Sequence, residues 1–201
     1  MKASLCGLLI LATLALSCKG PKDKITVTDK DGNKATVDVS SVRKMAEEAT
    51  KSQDRSAELK KLTPLTLDQL KSLIPAELMG MQRTRFNTSS AMGVSSCNAR
   101  YEGEDGKELK LEILDCAGEL GSTVYTMQFL NLFNFQQEDD NGYQKTVEFQ
   151  GQKAIEKYSK YNDRYEFTFG AGDRFLVNVE GTKTGLDLVK QVAGNLNLET
   201  D

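Results

Sequence analysis

Apolar and polar residues alternate along this chain at two different periods, and the changes of period mark out its elements. From Lys24 to Val39 (KITVTDKDGNKATVDV), Ile25 and Val27 alternate with threonines, and Ala35, Val37 and Val39 with polar residues. Period two on both sides of Asp29-Lys30-Asp31-Gly32-Asn33 predicts a β-hairpin with an Asp-Gly turn. From Ser41 to Leu62 the spacing becomes three-four: Val42, Met45, Ala49, Ser52, Ser56, Leu59. Half of these are small or polar, so the stripe is thin and predicts a solvated polar helix. Thr63-Pro64 interrupts it. Thr66 to Ile74 reads as a short amphipathic helix, with Thr66 as cap and Gln69 as its capping-box partner. Pro75 ends it.

Strand patterns follow at Gln82 to Asn87, Ala91 to Tyr101 and Glu108 to Cys116. In the last, Leu109, Leu111 and Ile113 alternate with Lys110 and Glu112. Gly103-Glu104-Asp105-Gly106 joins the second and third as a hairpin, which in the simplest register sets Tyr101 opposite Glu108. Ser122 to Gln137 (STVYTMQFLNLFNFQQ) returns to helical spacing, with Ser122 or Thr123 as cap. Val124, Met127 and Leu130 share one face; Tyr125, Phe129, Leu132 and Phe135 fill the adjoining one. An apolar arc that wide predicts a buried helix packed on a sheet. The sharper reading is a pocket for an apolar ligand, touched by Tyr125, Phe129, Leu132 and Phe133. An acidic turn, Gln136 to Gly142, precedes a meander of four strands: Tyr143 to Gln150, Gln152 to Tyr158, Arg164 to Gly170 and Arg174 to Glu180. Thr184 to Leu198 closes the chain as a helix with Leu186, Val189, Val192, Ala193 and Leu196 on one face.

Strands joined by short turns are antiparallel, and amphipathic helices at the ends of strand runs cover one face of the sheet. The predicted fold is therefore α+β: a mostly antiparallel sheet of about six to seven strands with two or three helices packed on it, preceded by a β-hairpin and a polar helical stalk. The predicted organisation is a signal segment 1–17, an anchor and spacer 18–62, and a single domain 63–201.

The first segment carries targeting information. Met1 and Lys2 are followed by an uncharged run from Leu5 to Leu16. Twelve helical residues span about 18 Å, too short for a bilayer core of about 30 Å. A basic start, a short apolar run and small residues after it describe a cleavable signal peptide. Leu14-Ala15-Leu16-Ser17-Cys18 resembles the lipobox of bacterial lipoproteins, although Ala15 stands where Leu is usual and Leu16 where a small residue is usual. The resemblance implies cleavage before Cys18, acylation of that cysteine and a cell-envelope location. Lys19 follows the cysteine where Asp would imply inner-membrane retention, so the outer membrane is expected. The order of elements over Leu73 to Leu198 resembles the photosystem-extrinsic PsbP-like fold. The turns Asp115-Cys116-Ala117-Gly118 and Gly172-Asp173-Arg174-Phe175 resemble those of uncharacterised bacterial envelope lipoproteins. Neither resemblance implies a defined activity.

Composition narrows the chemistry. The 201-residue chain has a net charge of −3, and removing Met1 to Ser17 takes away one base and no acid. Interspersed charges of both signs argue against a nucleic-acid face and a polybasic membrane patch. The chain has no His, which removes Ser-His-Asp catalysis, His-ligated zinc and imidazole base chemistry. Asp29 and Asp31 lack the position-twelve Glu of a calcium loop, and Glu138, Asp139 and Asp140 read as a solvated run. The carboxylates Asp115, Glu156, Glu166 and Asp173 are scattered, and nothing selects a pair of the glycosidase type. Cys97 and Cys116 remain after processing. In an oxidising compartment a disulfide between them is one expectation, and two separately buried thiols are the other. The hairpin register keeps them apart along the strands, beyond the reach of about 7 Å that a disulfide allows. The expected function is a membrane-anchored envelope lipoprotein with a non-catalytic binding or structural domain. It would have no cofactor and no metal, and an envelope protein as partner. The alternative is a carrier or sensor of an apolar ligand on the aromatic helix 122–137.

Overall fold

A computed structural model describes residues 24–28, 34–130 and 135–198, with side chains from residue 40 onward except 41, 42, 45, 129 and 130. The expected signal segment and Cys18 lie outside the described residues. The chain divides into two compact units between Glu48 and Ala49. In the first, β1 (Lys24–Thr28) pairs antiparallel with β2 (Lys34–Asp38), Ile25 opposite Val37 and Val27 opposite Ala35. The hairpin forms where period two predicts it; its turn lies outside the described residues.

The polar helix is α1 (Val39–Leu59). Its residues from Ala49 belong to the second unit, where Leu59 is fully buried and Ser52 is 5% exposed. This half of the helix is therefore not a free-standing spacer, and the compact body starts earlier than position 63. The thin stripe is enough because Leu59, its last apolar residue, is a full core residue. Next, α2 (Leu67–Ser72) carries the expected capping box: the Thr66 hydroxyl accepts from the Gln69 amide, and the Gln69 side chain accepts from the Thr66 amide.

The body is α+β, built on one antiparallel sheet of nine strands rather than six to seven. The strands are β3 (Glu77–Leu78), β4 (Met81–Ala91), β5 (Val94–Glu102), β6 (Glu108–Asp115), β7 (Gln136–Asp139), β8 (Gly142–Phe149), β9 (Gln152–Ser159), β10 (Arg164–Ala171) and β11 (Phe175–Thr182). Their order across the sheet is β3-β4-β5-β6-β11-β10-β9-β8-β7. The added strands are short and lie at the two edges, where no apolar alternation announces them. The four helices described also exceed the two or three expected on the sheet.

Three local differences have clear causes. First, Ala91 to Tyr101 is not one strand. Met92 (φ 54) and Gly93 (φ 79) form a two-residue turn, and Ala91 pairs with Val94. Two successive left-handed residues match the strand twist of a tight hairpin; Met in the first position hides the signal. Second, the β5–β6 register is one residue away from the expected one, with Tyr101 opposite Leu109. A one-residue slip exchanges the faces of a strand. The observed register puts Cys97, Ala99 and Tyr101 on the same buried face as Leu109, Leu111 and Ile113. Third, the aromatic helix is α3 (Gly118–Leu130), not 122–137. Ser122 and Thr123 do not cap it; both hydroxyls donate inside it to the Glu119 carbonyl. Gln136 and Gln137 belong to β7, and the acidic segment is a hairpin arm whose turn is tied by the Asn141 amide on Asp139 Oδ1. The closing helix, α4 (Leu186–Asn195), starts after Gly185 rather than at Thr184.

One face of the sheet forms the core. Ile113, Val177, Val179, Phe167 and Phe169 are buried on it, with Phe149 packed edge-on against both phenylalanines. The helix α4 packs on β10 and β11 through Val189, Val192 and Ala193, and α2 on β4 and β5. Each fully buried Leu, Ile or Val contributes about 1.5–3 kcal/mol. The opposite face is polar: Arg100, Glu108, Lys110, Glu180, Arg164, Glu166 and Lys157 form a ladder of ion pairs across five strands. Partly exposed pairs of this kind contribute little each. Their effect is to keep that face wet and the helices on the other side.

Candidate functional site

Of the four carboxylates singled out in the sequence, two are buried in the body, and they are held by different means. Asp115, at the end of β6, is fully buried. Arg174, from the turn before β11, grips it with both arms of the guanidinium: Nε to Oδ1 at 2.8 Å and Nη2 to Oδ2 at 2.9 Å. Backbone amides complete the shell, Leu65 N on Oδ2 at 2.6 Å and Ala117 N on Oδ1 at 3.1 Å. Arg174 Nη2 also donates to the Thr63 carbonyl, and Arg55 pairs with the neighbouring Asp173 at 2.8 Å. The corner thus ties the 63–65 connection, the start of α3 and the β10–β11 turn into one knot. It is neutral and saturated, and it holds architecture in place.

Glu156 sits on β9, on the core face between Ala154 and Tyr158, and is 1% exposed. Its partners are side chains. Lys145 Nζ, from β8, lies 3.0 Å from Oε1; Lys190 Nζ, from α4, lies 2.6 Å from Oε2; and the Tyr143 hydroxyl donates to Oε1 at 2.8 Å. Burial by itself raises the Glu156 pKa, but hydrogen bonds from Lys190, Lys145 and Tyr143 outweigh it and hold the carboxyl below its ordinary range. Tyr143 moves the other way: burial first, then its hydrogen bond to Glu156, raise its pKa. The carboxylate therefore stays charged and the phenol stays neutral across the physiological range, and neither is poised for proton exchange.

Two ammonium groups share one carboxylate here, so the cluster keeps an excess of one positive charge. Both lysine side chains are 38–40% exposed, and an ammonium has three donors. Lys145 lies 4.8 Å from the centre of the Tyr143 ring. That ring begins a cross-strand row: Tyr143 to Tyr158 at 5.9 Å, then Tyr158 stacked on Tyr165 at 4.5 Å. A shallow depression of about 230 Å³ opens at this edge mainly on the opposite, polar face of the sheet, lined by Gln137, Asp139, Gln144, Lys157 and Ser159 among others. Gly142 also lines it, and a Cβ there would run into the Tyr158 carbonyl, so only glycine fits. The two half-exposed ammonium groups have donors left for an anionic group. Among the described residues no group of three His, Cys, Asp or Glu side chains comes together to hold a metal ion.

The other residues named from the sequence are dispersed. Glu166 lies on the polar face with Lys157 and Arg164. Cys97 and Cys116 are separate, buried free thiols. Cys97 pairs with Ile113, three residues short of Cys116, about 10 Å along a strand, so of the two alternatives the separately buried thiols are the one observed. Burial pushes both thiols up to about 12. In the proposed ligand helix, Tyr125 is half-buried, and its pKa is raised by burial against a lowering by Arg55. The side chain of Phe129 and the whole of Leu132 and Phe133 lie outside the described residues. Lys145, Lys190 and Tyr143 were not singled out by sequence. The available signal was Glu156 itself, a glutamate in the apolar phase of KAIEKYS.

No protein family, curated protein or solved structure matches the chain.

Proposed function

We propose that this chain is an outer-membrane lipoprotein, anchored through lipid on Cys18, whose body is a non-catalytic binding or structural domain for an envelope protein. The anchor rests on the Leu14 to Cys18 motif at the end of a short apolar run. The non-catalytic reading rests on one observation: among the described residues each buried carboxylate is already neutralised by cations, Asp115 by Arg174 and Glu156 by Lys145 and Lys190. The chain also has no His, so no imidazole base is available. The contact surface is the Lys145–Lys190 end of the sheet, whose two half-exposed ammonium groups match an anionic group of the partner. The alternative is an apolar-ligand carrier on the aromatic helix, and of its expected contacts the Tyr125 side chain is the one described, half-buried in α3.

The two halves of the proposal are tested separately. Fractionation of wild type and Cys18→Ser addresses the anchor; wild type in the membrane and an unprocessed or released variant is the expected result. A variant cut at the same bond and still membrane-bound defeats the anchor. For the contact surface, one lysine suffices to neutralise Glu156, so Lys145→Gln and Lys190→Gln each preserve the fold while removing the excess charge. Partner capture from envelope extract should fall with either substitution. Undiminished capture would move the contact elsewhere.

A further inference from the structure

The two edges of the nine-stranded sheet are guarded very differently. At one edge, β7 is four residues long and carries Glu138 and Asp139, with Asp140 next. Short length and charge are the usual protections of an edge strand, and a second copy approaching β7 would meet acid with acid. At the other edge, β4 is eleven residues long but is covered only at its start, where Met81 and Gln82 pair with the two-residue β3. From Thr84 to Ala91 (TRFNTSSA) no strand lies outside β4 among the described residues. Its protections stop early: the register irregularity lies between Arg83 and Arg85, and Arg85 is the last charge. Phe86 to Ala91 has no charge, no proline and no bulge, and Asn87, Ser89, Ser90 and Ala91 are exposed. Such a run of unpaired backbone is a template for another strand.

The sequence of the run selects the partner. We infer that two copies of this chain join antiparallel through their β4 edges, about a two-fold axis at Thr88, into one continuous sheet. The axis is perpendicular to the sheet, so a residue faces its own copy at the centre and the same faces stay together. Thr88 then faces Thr88, Asn87 faces Ser89, Phe86 faces Ser90 and Arg85 faces Ala91. The hydroxyl and amide pairs are compatible in both directions. The two Arg85 side chains end six residues apart in the ladder, about 20 Å, so the only charges in the run are kept from each other. On the core face Phe86, already stacked under the Arg83 guanidinium at 5.0 Å, gains a neighbour on its open side. Head-to-tail pairing of β4 with β7 would use half as many residues and would not close.

The test is sedimentation of the purified full chain, in detergent matched to the solvent density, across a concentration series. The expected mass is twice that of one chain, and the Asn87→Lys/Ser89→Lys variant should halve it. That variant sets lysine against lysine on both sides of the axis while altering only exposed positions. Amide exchange on the unmodified chain gives an independent reading: protection over Thr84–Ala91 should rise with concentration while that of β7 does not. A single-chain mass with concentration-independent exchange at β4 overturns the inference. So does an open-ended series of larger masses, or a dimer that survives the double lysine variant.

Discussion

Asp115 and Glu156 are equally hidden from water, and the difference between them separates what holds this fold from what we propose it offers to others. Asp115 has one arginine and two backbone amides, drawn from segments far apart in sequence. Glu156 has two lysines and a tyrosine, all of which reach in from the surface. Burial alone therefore does not define a role. A carboxylate closed by a guanidinium fork and main-chain donors is part of the frame, because losing it strands an arginine and orphaned amides inside. A carboxylate held by half-exposed ammonium groups can release them to water.

The largest expected effect is on the frame. Asp115→Asn keeps the shape but leaves Arg174 without its counter-charge, and should cost about 3–5 kcal/mol in urea unfolding of the full chain. Arg174→Lys retains the charge but loses the fork, and should cost about 2 kcal/mol. By contrast, Glu156→Gln should cost only about 1–2 kcal/mol, because the two lysines it frees are already partly hydrated. A Glu156→Gln loss as large as that of Asp115→Asn would erase the distinction. Tyr143→Phe, which removes one hydrogen bond to Glu156, should cost about 1 kcal/mol.

The two sites also separate by pH. The folded pKa of Glu156 lies below the unfolded value of 4.5. Its stabilising contribution is therefore complete above that value and is lost as pH falls through the depressed folded value. Stability of the wild type should decline on this acid limb, and Glu156→Gln should decline less steeply. At the alkaline end Cys97 and Cys116, ordinarily near 9 and raised to about 12 by burial, remain neutral in the folded chain. Their contribution is present below pH 9 and is lost as pH rises towards 12. At neutral pH neither thiol should react with an alkylating reagent until the chain unfolds.

Much of the fold was legible because the relevant signals are local. The Thr66–Gln69 capping box is a four-residue pattern and forms as read. The meander from Tyr143 onward follows from alternation and tight turns, and its strands end within two residues of expectation. What was hidden depends on distance. The β5–β6 register is decided by which face Tyr101 and Cys97 can bury, which needs the rest of the sheet. Gln136 and Gln137 continue a helical pattern, yet become strand because β8 offers them a ladder. The candidate site was hardest to see: Tyr143 and Lys145 precede Glu156 on a neighbouring strand, and Lys190 arrives from a helix 34 residues later. Only Glu156, a charge in an apolar phase, betrayed it.

All of these contrasts concern the body; its proposed place in the cell rests on Cys18. The most direct measurement is the mass of the N-terminal peptide of the mature protein after proteolysis. The account predicts a peptide that begins at Cys18 and carries a thioether-linked diacylglycerol and an amide-linked acyl chain. A peptide beginning elsewhere, or one beginning at Cys18 with a free thiol and a free amine, would contradict it.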